Sequence, residues 1–286
     1  MSSTDPVAFL NVGFSSASMA RISAGDRGFL YGDGLFETIR VHDARPFLWE
    51  WHMMRFTDGA ESIGIALPQT TESLLGNVRE LICRNDGPEC IVRIALSRGY
   101  GERGYGVTGE EQPTLLITQH PLPPTPAKPL SLVSTSARVA VDDPLAKLKS
   151  ANKLGSILAK REATAQGADN GFILNSDGNI TEASSANLFW VEDGTLRTPP
   201  VSDGVLPGIT RRLVIGLVSA LGQAVREESA DSDRLQQADA VFVTSAATGI
   251  VAVGQVDGAA LDAHPLVGQL QDAYDAELAR HAAVGE

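Results

Sequence analysis

The sequence predicts an α+β protein of two domains, built on α+β sheets or on a barrel-like core. Predicted strands and helices are mixed in both halves, without the strict strand–helix alternation of a doubly wound sheet. A length of 286 residues suffices for two domains. The segment 120–129 contains five prolines, which favour an extended connector over a helix or central strand. We therefore expect a small N-terminal α/β domain at 1–120, a linker at 121–129 and a large C-terminal α/β domain at 130–286.

The first predicted domain contains strands and two helices. Apolar and β-branched runs bounded by turn residues indicate the strands, whereas apolar residues that recur every three or four positions indicate the helices. The strands are Gly34–Val41, a strand from Pro46, Glu89–Ser97 and Pro113–Thr118. One helix begins at Glu50, and the second spans Ser73–Cys83. A turn at 42–45 joins the first two strands.

The second predicted domain has short strands and longer helices. The same criteria place strands from Leu130 and at Gly171–Leu174, Asn187–Val191 and Ala240–Thr244, and helices at Asn152–Gln166, Ile209–Leu221 and Pro265–Arg280. The helix that begins at Asn152 has Leu154, Ile157, Leu158 and Arg161 at helical spacing and is rich in alanine elsewhere.

Composition excludes several classes of partner. The formal net charge is −12 and no basic run occurs, which argues against nucleic acid, although a few local cations can still bind an anionic small molecule. The N-terminus lacks the features of a signal peptide, and no stretch reaches the roughly 18 apolar residues of a membrane helix. Two cysteines and five scattered histidines indicate neither a disulfide framework nor a metal site. We expect a cytoplasmic protein that binds no metal, nucleic acid or membrane.

Lysine is the first residue type whose placement indicates chemistry. Only five lysines occur, and three of them lie in the segment 145–154, where a predicted loop meets a helix. Lys147 and Lys149 share one face of an extended segment, and a lysine with a lowered pKa can form a Schiff base with a carbonyl. A solvated basic patch is the alternative interpretation.

Two further segments carry polar groups at the ends of predicted elements. Glu182 stands between a turn and an apolar strand, where a carboxylate could keep a pyridine nitrogen protonated or could simply be exposed. Pro207 and Gly208 precede a helix, so the amides of Gly208, Ile209 and Thr210 and the Thr210 hydroxyl could bind an anion. An ordinary capped helix is equally compatible with this pattern.

Five motifs in order resemble a known family over nearly the whole chain. They are Tyr31–Arg40, His52–Phe56, Leu148–Asn152, Thr181–Asn187 and Pro207–Arg211. This set is similar to the class IV aminotransferases of fold type IV, which include branched-chain and D-amino-acid transaminases, (R)-selective amine transaminases and 4-amino-4-deoxychorismate lyase. A related binding protein that has lost the cofactor is the alternative class, but the intact Lys149, Glu182 and Arg55 set argues against it.

The resemblance implies pyridoxal 5′-phosphate (PLP) as the cofactor and assigns its contacts by motif. Lys149 would form the Schiff base and, once released by the substrate amine, remove the Cα proton. Glu182 would pair with the pyridine nitrogen. The phosphate would contact Arg55, Gly208, Ile209, Thr210, Ser245, Ala246 and Thr248. Because Ala246 replaces a frequent hydroxyl residue, Ser245, Thr248 or backbone amides would supply that contact.

The resemblance also implies two α/β domains, the larger of them barrel-like, together with small amino and keto acid substrates and a homodimer. The expected substrate-binding residues are Tyr31, Phe36, Thr38, Arg98, Arg103 and Ala247. The stretch Ser97–Tyr105 and the residue Thr38 resemble the lyases, which would place the enzyme in folate biosynthesis. The Leu206–Arg211 stretch is as typical of transaminases, so D-amino-acid, branched-chain and (R)-amine transaminases remain alternatives. We expect Arg98 or Arg103 to meet a substrate carboxylate, although a solvated loop would also suit this Gly-rich stretch.

Overall fold

A computed structural model describes residues 5–283. Contacts divide the chain into two compact units. Among the described residues, the first unit comprises those through Leu122, the segment Lys149–Asn152 and those from Ala279 onward. The second unit comprises Pro123–Leu148 and Lys153–Leu278.

The first unit is built on an antiparallel sheet. Within the described residues its elements are β1 Val7–Leu10, β2 Gly13–Ser16, α1 Arg27–Tyr31, β3 Gly34–His42, β4 Arg45–Pro46, α2 Trp49–Ser62, α3 Thr71–Arg84, β5 Cys90–Tyr100 and β6 Gln112–Pro121. The strand order is β2-β1-β6-β5-β3-β4. Every pair of neighbours is antiparallel.

Local sequence explains the hairpin and the helices that flank this sheet. Asp43 and Ala44 have φ angles of 49° and 59°, and two such residues form the tight turn that joins β3 to β4. The side chain of Thr70 caps α3 by accepting a hydrogen bond from the Ser73 amide at 3.3 Å. Helix α3 then buries Leu74, Val78, Leu81 and Ile82, which recur at helical spacing.

The second unit contains a closed barrel. Its described elements are β7 Leu130–Val139, α4 Leu154–Ala165, β8 Asn170–Asn175, β9 Ile180–Ala183, β10 Ala186–Glu192, β11 Thr195–Thr198, α5 Ile209–Ala220, β12 Val225–Glu227, α6 Asp233–Gln236, β13 Ala240–Ser245, β14 Gly249–Val256, β15 Ala259–Ala260 and α7 Pro265–Ala283, whose last turn belongs to the first unit. Six strands pair in the ring β10-β13-β14-β7-β8-β9, because β9 pairs with both β8 and β10. Phe172, Leu188 and Trp190 are fully buried in its apolar core.

The α+β class and the barrel-like core of the larger part are confirmed. All predicted helices are present with ends shifted by a few residues, whereas strands such as β1, β9 and β14 were not predicted. The predicted strand from Pro46 is wrong in extent, because β4 ends at that residue and α2 begins at Trp49. In the sequence, the first boundary between the two units falls after Leu122, within the Pro-rich stretch. No helix among residues 5–283 has the length and apolar character needed to cross a membrane.

Two segments that were expected in the C-terminal domain belong to the first unit instead. Lys149–Asn152 belongs to the first unit, because Leu35 and Ser150 form an isolated β-bridge. The residues from Ala279 onward also belong there, since the His281 ring stacks edge-on against Phe47 at 5.3 Å. These pairings are distant in the sequence, so a boundary drawn from composition does not reveal them.

Candidate active site

The segment that carries Lys149 is hydrogen-bonded to strand β3, and this places the lysine over an aromatic ring. The Phe36 amide donates to the Lys149 carbonyl at 3.0 Å, and the Ala151 amide donates to the Gly34 carbonyl at 2.9 Å. Lys149 is half-buried, and its Nζ lies 4.8 Å from the centroid of the Phe36 ring. Lys147, by contrast, is exposed. The amine that the sequence singles out therefore has a defined position on the sheet.

Arg93 is a candidate site residue that the sequence analysis missed. It pairs with Thr38 across β3 and β5, and its Cζ lies 3.7 Å from the centroid of the Phe36 ring. Its side chain makes no hydrogen bond or ion pair with residues 5–283, and burial lowers its pKa. A half-buried guanidinium on the ring that Lys149 also contacts is suited to a substrate carboxylate. An arginine inside the apolar run 89–97 was the available signal, but only strand register links it to Phe36.

Two buried polar residues and one half-buried arginine lie on the other face of β3. Glu37 is fully buried and accepts from Arg55 Nε at 2.8 Å and Nη2 at 2.7 Å, and from His52 Nδ1 at 2.7 Å. Burial raises the pKa of Glu37, but the hydrogen bonds and charges of His52 and Arg55 outweigh it and lower that pKa to about 2. Burial lowers the pKa of His52, and its Nδ1 donates to the ionised Glu37 carboxylate.

In the second unit, Glu182 is held in one orientation at the junction of β9 and β10. Its Oε2 accepts from Asn187 Nδ2 and from the Leu206 amide, each at 3.1 Å. The Asn187 amide group also donates to the Leu206 carbonyl at 2.9 Å. A fixed and half-buried carboxylate is the group that a protonated pyridine nitrogen requires.

The N-terminus of α5 lies against the same asparagine. Gly208 is the N-cap, and a Cβ at this position would lie 1.8 Å from Asn187 Oδ1, so only glycine permits this approach. Ile209 and Thr210 are buried in the first turn, where the backbone amides lack partners within the helix. The Thr210 hydroxyl makes no hydrogen bond within residues 5–283. This terminus therefore has the donors that a phosphate requires.

The turn between β13 and β14 adds hydroxyl groups. Ser245 Oγ and Thr248 Oγ1 are 2.8 Å apart, while Ala246 and Ala247 are half-buried between them. The Thr244 hydroxyl is buried without a hydrogen-bond partner among the described residues. An orphaned hydroxyl of this kind calls for a polar ligand or water. Together with the glycine-dependent approach of α5 and the fixed Glu182 carboxylate, it shows that the residues present fit PLP.

The two arginines of the Gly-rich stretch have different surroundings. Arg98 is 9% exposed and donates from Nε and Nη2 to Asp33 at 2.8 and 3.1 Å, and to the Gly64 and Ile63 carbonyls at 2.9 and 2.6 Å. Arg103 is exposed and makes no hydrogen bond or ion pair within residues 5–283. Arg98 therefore holds local structure, which favours Arg103 of the two for contact with a substrate.

Tyr31 supports the same stretch from helix α1. Its hydroxyl accepts a hydrogen bond from the Gly104 amide at 3.0 Å, and its ring packs edge-on against Tyr105 at 5.7 Å. Arg27, which is 3% exposed, donates to the Gly104 carbonyl at 2.9 Å. The solvated-loop interpretation is therefore incomplete, because α1 holds the backbone near Arg103 in place.

The fold and these residues define the class of PLP-dependent enzymes with fold type IV. The sequence model of the family described as "Amino-transferase class IV" matches residues 34–256. This chain belongs to the class IV aminotransferase family. Enzymes of this family use PLP, and they act on small molecules.

Two curated relatives align with most of the chain. A Methanocaldococcus jannaschii protein, provisionally named as a branched-chain-amino-acid aminotransferase, is 36% identical over 87% of this chain and 88% of its own length. The D-alanine aminotransferase of Staphylococcus aureus is 30% identical over 96% of this chain and 98% of its own length. The relatives thus include proteins named as branched-chain and as D-alanine aminotransferases.

Solved structures that resemble this chain include further aminotransferases and a related protein. A Legionella pneumophila protein, provisionally named as a 4-amino-4-deoxychorismate lyase, has a TM-score of 0.87 and 32% identity, over 91% of this chain and 97% of its own. The branched-chain aminotransferase of the archaeon Thermoproteus uzoniensis, solved with norvaline, has a TM-score of 0.91 and 28% identity, over 96% of this chain and 95% of its own. Both transaminases and a lyase are therefore among the similar proteins.

Proposed function

We propose that this enzyme acts on the amino group of a small carboxylate substrate, with PLP attached to Lys149, and that Cα is the substrate carbon that bears this amine. The observation that carries the proposal is the placement of Lys149 Nζ and Arg93 Cζ within 4.8 and 3.7 Å of the centroid of one ring, that of Phe36. The Lys149 amine lies where the amino end of such a substrate can react, and the Arg93 guanidinium, near the same Phe36 ring, can bind its carboxylate. Bound PLP supplies an electron sink for charge that develops at Cα.

The other residues take the roles that the family resemblance implies. Lys149 moves the Cα proton, and Glu182 keeps the ring nitrogen protonated. We propose that the phosphate contacts Arg55, Gly208, Ile209, Thr210, Ser245, Ala246 and Thr248. Tyr31, Thr38, Arg103 and Ala247 complete the proposed substrate contacts. Hydroxyls, helix amides and a guanidinium are the donors that suit a phosphate dianion.

Among the reactions of this family, we propose 4-amino-4-deoxychorismate lyase activity as the first candidate. The Ser97–Tyr105 stretch and Thr38 support it, since both resemble the lyases. In this reaction the carbon that bears the amine loses a proton to Lys149. The neighbouring carbon–oxygen bond breaks, pyruvate leaves, and 4-aminobenzoate remains.

Transamination is the second candidate, because two curated relatives are named as branched-chain and D-alanine aminotransferases. In that reaction Lys149 would again take the proton from the carbon that bears the amine, and bound PLP would carry the amino group until a keto acid accepts it. An (R)-selective amine transaminase is the remaining variant of this reaction.

One set of assays tests the proposed function and separates the candidates. We expect the holoenzyme to form 4-aminobenzoate and pyruvate in equal amounts from 4-amino-4-deoxychorismate. Transfer of the amino group from D-alanine or L-leucine to 2-oxoglutarate, without 4-aminobenzoate formation, would reject the lyase assignment in favour of a transaminase. No turnover of any carboxylate substrate, with good turnover of a simple (R)-amine, would reject the carboxylate proposal.

Replacement of Arg93 by alanine should impair substrate binding. Loss of a partly desolvated guanidinium–carboxylate contact should lower kcat/KM roughly 30- to 1000-fold. We expect most of the change in KM, with Arg93→Lys intermediate, because lysine keeps the charge but loses the planar fork. Steady-state kinetics with Arg103→Ala alongside compares the two candidate cations. Unchanged KM for every carboxylate substrate in Arg93→Ala would contradict this role.

We also propose a homodimer in the cytoplasm. Leu154, Ile157 and Leu158 lie at helical spacing on α4 and are 67%, 54% and 48% exposed, and such a face supports association with a second copy. Light scattering should give twice the chain mass of 30.2 kDa, whereas a monomer at all concentrations would reject the dimer. Cell fractionation tests the location.

A further inference from the structure

We propose that Glu37 and His52 are positioning residues that hold Arg55 in the orientation in which it binds the cofactor phosphate. This inference rests on the proposed function, which assigns the phosphate to Arg55. Neither Glu37 nor His52 touches the reacting atoms in this account. They act through the guanidinium, by holding it in place before the cofactor arrives.

The geometry of the ion pair restricts the guanidinium. Nε and Nη2 of Arg55 donate to Oε1 and Oε2 of Glu37 at 2.8 and 2.7 Å, so two parallel hydrogen bonds set the plane of the group. His52 and Arg55 are three residues apart on α2 and therefore lie on one face of the helix, toward β3. The arginine thus loses its rotational freedom in the folded protein, before any ligand binds.

The carboxylate itself is held by its surroundings. Glu37 follows Phe36 on β3, so its side chain points to the opposite face of the sheet from the ring that Lys149 contacts. It is fully buried, and His52 donates to Oε2 at 2.7 Å. Glu37 therefore cannot turn away to water and release the arginine.

The competing explanation is that Glu37 and Arg55 form an ion pair with a purely structural role. The position of the Glu37–His52–Arg55 cluster argues against this explanation. The Phe36 amide, one residue before Glu37 on β3, donates to the Lys149 carbonyl at 3.0 Å, so the Glu37–His52–Arg55 cluster lies beside the segment that carries the proposed catalytic amine. The side chain of Arg55 is 13% exposed while that of Glu37 is 0% exposed, so the guanidinium reaches the surface of the cluster. An anion there would be nearer to Arg55 than to the carboxylate behind it. Attraction to the guanidinium should then exceed repulsion by Glu37.

The test compares PLP with pyridoxal, which lacks the phosphate. Both aldehydes can react with Lys149, so the ratio of their affinities isolates the phosphate contribution. The ratio is measured by fluorescence titration of the apo-protein, with thermal unfolding as a check on folding. In Glu37→Gln the side-chain amide breaks the paired hydrogen bonds, and we expect the ratio to fall roughly 10- to 100-fold. Pyridoxal affinity should stay unchanged.

Three further variants show whether Glu37 acts through Arg55. In an Arg55→Ala background, Glu37→Gln should have no further effect on the ratio, because the group that it positions is absent. His52→Asn keeps a donor to Glu37 and should stay near the wild-type ratio, whereas His52→Leu should lower it. Asp26→Asn, which removes another buried carboxylate of the same unit, should leave the ratio unchanged.

Each contrary outcome has a distinct meaning. Equal loss of PLP and pyridoxal affinity in Glu37→Gln, additive effects with Arg55→Ala, or tighter PLP binding from removal of the negative charge would overturn the inference. Failure of the proposed function would be seen differently, as no borohydride-fixed PLP on Lys149 in the unsubstituted protein.

Discussion

Replacement of Lys149 by alanine should reduce turnover by at least about 10⁴-fold and abolish covalent attachment of PLP. The side chain has two proposed roles, since it holds the cofactor and moves the Cα proton, and proton transfer alone accounts for roughly 10²- to 10⁴-fold. The measurements are single-turnover kinetics and mass spectrometry of the borohydride-reduced holoenzyme. In the unsubstituted protein, the added mass should lie on the peptide that contains residue 149.

Lys147 provides a matched control for this variant. It lies two residues away and is exposed, so Lys147→Ala should keep the covalent adduct and the activity. Small external amines should restore part of the turnover in Lys149→Ala, because they can replace the missing base. An adduct on Lys147 or Lys153 in the reduced unsubstituted protein would refute the assignment, and so would full activity in Lys149→Ala.

Replacement of Glu182 by glutamine should lower kcat on the order of 100-fold or more while PLP remains attached. A neutral amide cannot stabilise a protonated pyridine nitrogen, and the ring then withdraws electrons from Cα less strongly. The Asn187 side chain and the Leu206 amide both donate to this carboxylate. The side-chain NH₂ group of glutamine could not accept these hydrogen bonds. The expected split is a large fall in kcat with a smaller change in PLP affinity.

Glu182→Asp distinguishes loss of charge from loss of geometry. Aspartate keeps the charge on a shorter side chain, so its kcat should lie between those of the wild type and Glu182→Gln. Visible absorbance titrated against pH follows the protonation of the bound cofactor in all three proteins. If Glu182→Gln retained wild-type kcat and an unchanged absorbance titration, Glu182 would not control the ring nitrogen.

The strands and helices near the site could be predicted because each has a local pattern. The 34–41 strand and the helix from Ile209 were expected within one residue at each end, since periodicity and the Pro-Gly start are local signals. The barrel strand β9 was missed, because four residues between turns carry too little periodicity. The order of the barrel strands lies beyond such patterns, since it depends on pairings between distant residues.

The candidate site divides in the same way. Lys149, Glu182 and Arg55 were named from motifs, because each motif has an unusual residue at a characteristic spacing. Arg93 and Glu37 were not assigned roles at the cofactor or substrate. Their importance comes from neighbours on other elements, namely Phe36 for Arg93 and two side chains of α2 for Glu37.

The sequence by itself determined the α+β class, the family resemblance and the chemical types at the proposed cofactor site. Only the tertiary structure decided that Arg98 is bound to Asp33 while Arg103 is exposed, and that the segment of Lys149 pairs with β3. The physical reason is that residue type and spacing specify which groups are available. Burial, strand register and hydrogen-bond partners, which arise between residues far apart in the chain, specify which groups are already engaged.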